Sequence, residues 1–348
     1  MKVVQFDSFG GPEVLRLADQ ATPRPKADEV LVQVAACAVN HLDLDIRAGR
    51  SRYPIAFPHV LGRESVGVVA EVGPECRRWR EGDRVMVRAH YSCGTCGPCM
   101  AGEDNHCLNG RLPGVHVPGG YSEYLVAPGR CLTPIPAGLS WEDAAAAQVA
   151  FGTAWHVLVG MTRVCPGDRV LVTGATGGVG VAVVQLANLC GARVMAAAGS
   201  SGRLDRLAEL CHVERVDYTT ENLADRARDW TDGKGVDLVV DTAGGPYFAA
   251  AMSALGVNGR LIVVGGHAGE KVELDLVDLF RSQISVVGSR RVTSAELEQV
   301  LGLISDGSLR PVVGRVEELD GARLLHESIE NRTNFGRLVL RPSDVRTN

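Results

Sequence analysis

The segment from Arg169 to Ala198 constrains the fold more than any other part of this 348-residue chain. An apolar run at 170–172 leads into a glycine-rich turn at 174–180, then into small and aliphatic residues at helical spacing, and then into a second apolar run at 193–198. Strand, turn, helix and strand thus follow one another within about 30 residues, which predicts a βαβ unit. This context makes the glycine motif informative, because the same glycines in isolation are weak evidence.

The turn is suited to a dinucleotide pyrophosphate. It reads Ala175-x-Gly177-x-x-Gly180 after Gly174, so alanine replaces one glycine of the G-x-G-x-x-G pattern. Backbone without β-carbons lets a phosphate approach, and the N-terminus of the next helix offers free N–H groups and partial positive charge. The alternative is a tight turn of another α/β protein. The predicted cofactor-binding residues of the turn are Ala175, Thr176, Gly177, Gly178, Val179 and Gly180.

The end of the second strand indicates which dinucleotide is bound. A site for the ribose diol has Asp or Glu there, about 20 residues after the glycines. The segment 198–203 has no acid, whereas Ser200 and Ser201 can donate to a phosphate and Arg203 can neutralise it. We therefore expect NADPH rather than NADH. The alternative is an exposed polar loop with an incidental arginine.

Composition limits the remaining classes. The net charge of −5 and a pI near 6.0 indicate no nucleic-acid partner. The N-terminus lacks a signal-peptide pattern, and no apolar run of 18 residues stands out. The sequence predicts a cytoplasmic protein without a membrane partner. A β-rich pattern fills residues 1–90, and alternating strands and helices from 170 to 288 predict an α/β fold with a parallel sheet.

Four cysteines fall within 15 residues of a glycine-rich excursion at 92–110. Four thiolates at this spacing can close a tetrahedron around Zn²⁺ and leave no position for water. The sequence thus predicts one structural zinc per chain. A reduced cysteine-rich loop and a nucleic-acid zinc ribbon are the alternatives, and the negative net charge disfavours the ribbon. The predicted ligands are Cys93, Cys96, Cys99 and Cys107.

Motifs along nearly the whole chain resemble the medium-chain dehydrogenase/reductase superfamily, and its quinone oxidoreductase branch in particular. They are Gly10-Gly11-Pro12-Glu13-Val14-Leu15, Val39-Asn40-x-x-Asp43-x-x-x-Arg47-x-Gly49, Gly62-x-Glu64-x-x-Gly67 and Gly119-Gly120-Tyr121-x-Glu123-Tyr124. The resemblance implies a GroES-like β-rich catalytic domain at 1–145 and 290–348, with its zinc lobe at 92–110. It also implies a Rossmann domain with a doubly wound parallel sheet at 146–289, an interdomain active site, and a homodimer or homotetramer.

The ligands of the superfamily's catalytic zinc do not match this chain. The resemblance puts Asn40 at the first ligand position, Arg63 at the second and a residue near Val149 at the third. A guanidinium cannot ligate zinc because it stays charged. We therefore predict no catalytic metal. The alternative is a displaced site made of Cys37, His59 and either Glu64 or Asp43.

The resemblance also suggests roles for single residues. Asn40 and Tyr53 are the candidate catalytic residues, for binding the substrate oxygen and donating a proton. We expect Asp43 to pair with Arg47, and Arg63 with Glu64. The candidate cofactor contacts outside the glycine turn and the 198–203 segment are His41, Thr153, Tyr218, Val264, Gly265 and Gly266.

Without a metal, a conjugated acceptor is easier to reduce than an isolated ketone, because a hydrogen bond can suffice at the enolate oxygen. The hypothesis is NADPH-dependent reduction of a small-molecule quinone, enone or related activated double bond. The alternatives are a zinc-type alcohol dehydrogenase or ketone reductase, a non-catalytic dinucleotide-binding protein, and a biosynthetic reductase with one dedicated substrate.

Overall fold

The structure is a computed structural model that describes residues 1–342 and 345. The chain divides into two compact units, Met1–Val149 with Thr293–Asn348, and Ala150–Val292. The predicted boundaries were 145/146 and 289/290. The described residues form strands β1 to β16: Lys2–Phe6, Arg16–Asp19, Glu29–Ala38, His59–Val60, Glu64–Val72, Arg84–Val87, Tyr124–Pro128, Leu132–Pro134, Arg169–Thr173, Arg193–Ala198, Glu214–Asp217, Val236–Asp241, Leu255–Val263, Ser285–Gly288, Val313–Glu318 and Arg337–Arg341.

Helices α1 to α10 follow in the same way through the described residues: His41–Arg47, Gly97–Met100, Trp141–Trp155, Gly178–Leu189, Ser201–Leu210, Leu223–Trp230, Tyr247–Ala254, Leu276–Arg281, Ser294–Ser305 and Ala322–Glu330. Short 3₁₀ turns lie at Pro12–Val14, Asp104–His106, Gly129–Cys131 and Leu319–Gly321.

The first unit is built on a largely antiparallel seven-stranded sheet. Its strands run in the order β15-β16-β3-β5-β6-β8, and β7 pairs with β3. A smaller sheet, β2-β1-β4, completes the unit. The long strand β3 is buried along most of its length, and its apolar side chains form the centre of the core with those of β1, β6 and α10. The C-terminal strand β16 pairs with β3 through Val339 and Leu340, which joins the end of the chain to this unit.

The second unit holds a parallel six-stranded sheet in the order β11-β10-β9-β12-β13-β14. This is the strand order of a doubly wound dinucleotide-binding fold, with the order reversing between β9 and β12. Strands β9 and β12 are almost completely buried, as expected for the centre of a parallel sheet. The predicted α/β fold, with a GroES-like and a Rossmann domain, is confirmed.

Several elements differ from the sequence expectation. Strand β11 and helix α8 were not predicted, since each is short and lacks a strong apolar period. The sequence predicts a strand at 260–264, but strand β13 begins earlier, at Leu255. The sequence also predicts a strand at 119–126, but strand β7 begins only at Tyr124, because residues 119–121 make irregular backbone hydrogen bonds to residues 60–62 instead.

Helix α3 continues into a π-helical segment, His156–Met161, and forms a 21-residue apolar stretch from Trp141 to Met161. By length and composition this stretch could cross a membrane, which corrects the expectation that no such run exists. Its most apolar window is 61% buried inside the protein, as in the core helix of a globular fold.

Candidate functional site

The four cysteines of the 92–110 lobe converge. Their sulfur atoms all lie within 4.8 Å of one another. The Sγ atoms of Cys93 and Cys99 are 4.0 Å apart, and those of Cys96 and Cys107 are 3.9 Å apart. Thiolates bound at about 2.3 Å around a tetrahedral zinc would lie about 3.8 Å apart. The lobe thus presents a four-sulfur site of the size that zinc requires.

The backbone of the lobe prepares two of these sulfurs for a metal. The amides of Thr95 and Cys96 lower the pKa of Cys93 to about 5, and the amides of Leu108 and Cys99 lower the pKa of Cys96. Burial raises the pKa of Cys99 to about 12. Thiolates are the form of cysteine that binds metal. The backbone of the lobe therefore favours the metal-binding form of Cys93 and Cys96 before any ion is bound.

The glycine turn lies between β9 and α4, as predicted. Gly177 caps the helix and donates its N–H to the Gly174 carbonyl at 3.0 Å. The amides of 178–180 form the first helical turn, where helix geometry leaves N–H groups without helical acceptors. A β-carbon at Gly180 would lie 2.3 Å from the Gly174 oxygen, so only glycine lets the turn pack onto the helix. Ala175 and Thr176 are buried beneath the turn. These residues fit a bound pyrophosphate.

The next loop at the same edge of the sheet, 198–203, follows β10. The Ser200 hydroxyl caps α5 by accepting from the Arg203 amide at 3.4 Å, and Ser201 is exposed. Asp217 lies at the end of the neighbouring strand β11, and the sequence alone did not identify it as a neighbour of this loop. Its carboxylate accepts from the Thr219 amide and hydroxyl at 3.0 and 2.6 Å. Those contacts, more than its proximity to Arg203, lower the pKa of Asp217.

Two further groups of predicted cofactor contacts lie in the second unit. The Tyr218 ring lies against the Tyr247 ring with centroids 4.1 Å apart, next to Gly199. Val264, Gly265 and Gly266 directly follow β13, at the carboxyl edge where the glycine turn follows β9. In parallel sheets this edge is where ligands bind. Thr153 is half-buried near the end of α3.

The positions of the lost zinc ligands in the first unit form a buried polar cluster. Glu64 is fully buried, forms an ion pair with Arg337 and accepts from the Val149 amide at 2.6 Å. The Asn40 amide group donates to the Ala38 carbonyl at 3.2 Å, and its oxygen accepts from Arg337 at 3.4 Å. Burial lowers the pKa of Arg337 to about 10. Arg337 is a member of this cluster that sequence reasoning missed.

Asp43 and Arg47 do not pair, contrary to the expectation. Asp43 accepts the Asn40 amide at 2.8 Å and the Gly62 amide at 3.3 Å, so it caps α1. Burial raises the pKa of Asp43 to about 6. Arg47 contacts Glu330 and donates to His326 Nδ1 at 3.3 Å. Both groups therefore have other partners.

The direction of the hydrogen bonds around His326 is fixed because arginine can only donate. His326 Nδ1 must accept from Arg47, and burial holds the ring neutral by lowering its pKa to about 3. The proton is then on Nε2, which donates to the Tyr121 oxygen at 3.0 Å. This chain of hydrogen bonds fixes α1, whose first residues are His41 and Leu42, against α10. His41 itself is exposed at the start of α1.

Arg63 does not pair with Glu64 either. Glu64 begins β5 and pairs with Arg337 of β16 instead. Arg63 Nη2 lies 3.5 Å from the Ala89 carbonyl. Asp43 and Tyr53 are the acidic groups close enough to raise the Arg63 pKa, which burial lowers overall. Tyr53 is half-buried, with its ring against His116 at 5.2 Å.

The chemistry of these residues does not fit a catalytic zinc. The first two ligand positions hold an amide and a guanidinium, and Glu64 is already used by Arg337 and Val149. The displaced set does not gather: within residues 1–342 and 345, the four cysteines of the lobe form the one group of three or more metal-ligating side chains. His59 instead contacts the Gly114 carbonyl at 3.0 Å.

The comparisons with known proteins agree with this architecture. Residues 26–137 match the alcohol dehydrogenase GroES-like domain, and residues 178–306 match the zinc-binding dehydrogenase domain. Human quinone oxidoreductase is 30% identical over 350 residues, covering 98% of this chain and 97% of that protein.

Among solved structures, an NAD-dependent alcohol dehydrogenase is 41% identical, with a TM-score of 0.94 and coverage of 99% of this chain and 100% of that one. Escherichia coli quinone oxidoreductase complexed with NADPH is 25% identical, with a TM-score of 0.84 and coverage of 98% and 100%. The fold and the two sites define a two-domain oxidoreductase. The chain belongs to the medium-chain dehydrogenase/reductase superfamily.

Proposed function

We propose that this oxidoreductase uses NADPH to reduce a quinone, an α,β-unsaturated carbonyl or a related activated double bond without a catalytic metal. One observation carries the proposal. The glycine turn of the second unit is complete, whereas the positions of the catalytic zinc ligands hold Asn40 and Arg63, and Glu64 is committed to Arg337. A hydride donor site without a Lewis-acid metal favours acceptors that are already polarised.

Each unit has a part in this proposal. NADPH, when bound, supplies a hydride. The amides of 178–180 would hold its pyrophosphate, while Ser200, Ser201 and Arg203 would hold the 2′-phosphate. In the first unit the polar cluster would orient the acceptor, with Tyr53 as the candidate proton donor. The four-cysteine lobe would hold one structural zinc and take no part in the chemistry, because a site of four thiolates has no open position.

The 198–203 loop favours NADPH over NADH. No carboxylate occupies the end of β10, and Asp217 on the next strand is engaged by Thr219. The relatives differ in the cofactor that their names state: NAD for the 41% identical alcohol dehydrogenase and NADPH for the E. coli complex. The loop of this chain therefore carries the argument, and kinetics with both cofactors tests it.

With 2-cyclohexen-1-one or 1,4-benzoquinone as acceptor, we expect NADPH oxidation with kcat/KM at least tenfold above that for NADH. Arg203→Ser should lower kcat/KM for NADPH by about 10- to 100-fold, the loss of one charge-assisted phosphate contact, and change NADH use little. The absorbance of the reduced nicotinamide reports the rate. Arg228→Ser, an exposed arginine on α6, is the matched control and should change neither value.

Three outcomes would contradict the proposal. A preference for NADH would reverse the cofactor assignment. Oxidation of cyclohexanol that is lost after chelation would indicate a zinc-type alcohol dehydrogenase. Tight NADPH binding without turnover over a broad panel of quinones and enones would indicate a non-catalytic dinucleotide-binding protein.

We also propose that two copies of the chain pair through β14. This strand ends the six-stranded sheet, all four of its residues are exposed, and its sequence SVVG carries no charge. Helix α8, which precedes β14 in the chain, has no buried residue, with Leu276 65% and Phe280 68% exposed. Uncovered edges of this kind invite pairing with another strand, and a twofold axis lets β14 pair with its own copy.

We expect light scattering after size exclusion to give a mass of two chains, or a multiple of two. Phe280→Asp combined with Val286→Lys should shift the mass to one chain while circular dichroism shows that the chain stays folded, because both side chains are exposed in the single chain. Leu210→Asp, on exposed α5, is the control and should keep the mass. An unchanged mass in the double variant would contradict the β14 interface.

A further inference from the structure

We propose that the Arg63 guanidinium binds the acceptor's carbonyl oxygen and stabilises the oxyanion formed there on reduction. The proposal rests on the function given above and deepens it. It names the acceptor class as a conjugated carbonyl compound, whose oxygen gains negative charge when hydride adds at the β-carbon. Arg63 thus becomes a catalytic residue rather than half of a structural ion pair.

The backbone on both sides of Arg63 is held rigidly. Gly62 has φ +105°, and a β-carbon there would lie 2.8 Å from the amide nitrogens of Gly120 and Tyr121. Gly120 N donates to the Gly62 carbonyl and Tyr121 N to the Leu61 carbonyl, both at 3.0 Å. On its other side Arg63 leads into β5. A side chain on such a frame is preorganised, which is the property that a charge-stabilising group needs.

The guanidinium itself has unused donors. In the described part of the chain its one hydrogen bond is the 3.5 Å contact with Ala89, at the limit for such a bond. Arg63 Nε is buried and has no partner among those residues. No carboxylate of the same residues forms an ion pair with Arg63 within 4.0 Å, and the side chain keeps some solvent access. A buried, charged donor without an acceptor is costly unless a ligand supplies one.

The neighbouring carboxylates are committed elsewhere, so they leave Arg63 available to a ligand. Glu64 contacts Arg337 and the Val149 amide, and Asp43 accepts two backbone amides. Asp43 and Tyr53 still act on Arg63 electrostatically. The Asp43 carboxylate favours the charged form of the Arg63 guanidinium, and the Tyr53 phenol lies within electrostatic range of it.

The proposed reduction balances in electrons, protons and bonds with these groups. NADPH, when bound, would supply a hydride, that is two electrons and a proton, and this hydride would form the C–H bond at the β-carbon. The C=C π pair shifts toward the carbonyl, giving an enolate oxygen that accepts N–H bonds from Arg63. A proton from Tyr53, replaced from solvent, or from solvent directly, then adds to the α-carbon. The two electrons that reduce the C=C bond would thus come from NADPH, which would leave as NADP⁺. With a quinone, hydride addition at a ring carbon likewise places negative charge on a carbonyl oxygen. That oxygen takes the proton, and the ring carbon that received the hydride then passes one proton to the second carbonyl oxygen, which gives the hydroquinone.

The test needs a probe of the oxyanion that does not depend on turnover, and 4-nitrophenol provides one. Its phenolate resembles the enolate oxygen in charge and absorbs visible light, unlike the phenol. At the pH of half-ionisation of the free probe, we expect the full-length protein without NADPH to raise the phenolate-to-phenol ratio of bound probe about tenfold, equivalent to one pKa unit. 2-Cyclohexen-1-one should displace it.

Arg63→Met should abolish this spectral change and lower kcat/KM for 2-cyclohexen-1-one by about 10²- to 10³-fold, the loss expected for one oxyanion donor. Arg63→Lys should recover part of both, since it restores the charge but not the planar fork. Arg24→Met, an exposed arginine of the same unit, should leave both unchanged. Melting curves show whether Arg63→Met folds. If it does not, the spectral change and kcat/KM of Arg63→Lys test the role of Arg63.

The results separate the two proposals. If the unmodified enzyme reduces enones but Arg63→Met keeps its rate, or if the 4-nitrophenol spectrum is the same with and without Arg63, the role of Arg63 is refuted and the function stands. If the unmodified enzyme shifts the probe but reduces no acceptor, the function is refuted, and Arg63 is left without a catalytic role.

Discussion

Replacing Cys107 with serine is expected to lower the zinc content from about one to well below one ion per chain and to destabilise the first unit. Cys107 is buried, and its sulfur accepts from the Cys93 amide at 3.1 Å and lies 3.9 Å from the Cys96 sulfur. Structural zinc contributes about 10–16 kcal/mol of binding free energy in small domains. Losing one ligand should therefore lower the free energy of unfolding by roughly 3 kcal/mol or more.

Elemental analysis and urea unfolding measure the two effects. Cys165→Ser, an exposed cysteine of the second unit, is the matched control and should change neither the zinc content nor the stability. If unmodified protein carries far less than one zinc per chain, with all four thiols titrating freely, the lobe is a reduced cysteine-rich loop instead.

Glu64→Gln should lower the free energy of unfolding by about 3–5 kcal/mol, because it leaves the buried Arg337 charge without its counter-ion. The uncharged amide also places an NH₂ group against either Arg337 or the Val149 amide, both of which are donors. The unfolding transition of the first unit in urea gives this free energy of unfolding.

Two variants make this measurement specific. Glu71→Gln removes a carboxylate that pairs with Arg24 on the surface and should cost no more than about 1 kcal/mol. The double variant Glu64→Gln, Arg337→Met should recover much of the loss, since no buried charge remains unpaired. If Glu64→Gln and Glu71→Gln lowered the free energy of unfolding equally, the buried Glu64–Arg337 pair would contribute no more than a surface pair.

Local features of this protein could be predicted from the sequence because each depends on residues that are close together in the chain. The turn at 174–180, the cap at Gly177 and the four cysteines each depend on residues within a single short segment. Strands β9, β10 and β12 also follow local apolar periods. Short elements such as β11 and α8 were missed because their packing, rather than their own pattern, stabilises them.

Both ion pairs expected from sequence proximity were wrong, for reasons that only geometry supplies. Asp43 and Arg47 have the i, i+4 spacing of a helical pair, but Asp43 caps α1 and Arg47 turns to α10. Arg63 and Glu64 are adjacent in sequence, but Arg63 precedes β5, whereas Glu64 begins that strand and pairs across the sheet. The actual partner of Glu64 is Arg337, 273 positions away.

The sequence alone determined the class of fold, the glycine turn and the four-cysteine lobe, because each is written in residue types at short spacing. The replacement of the catalytic zinc ligands followed from the resemblance to the superfamily. The tertiary structure decided which charges are neutralised and which remain available. That choice depends on where strands from distant parts of the chain meet, and on the cost of leaving a buried charge unpaired, which forces Glu64 and Asp43 to their partners and leaves the Arg63 donors for a ligand.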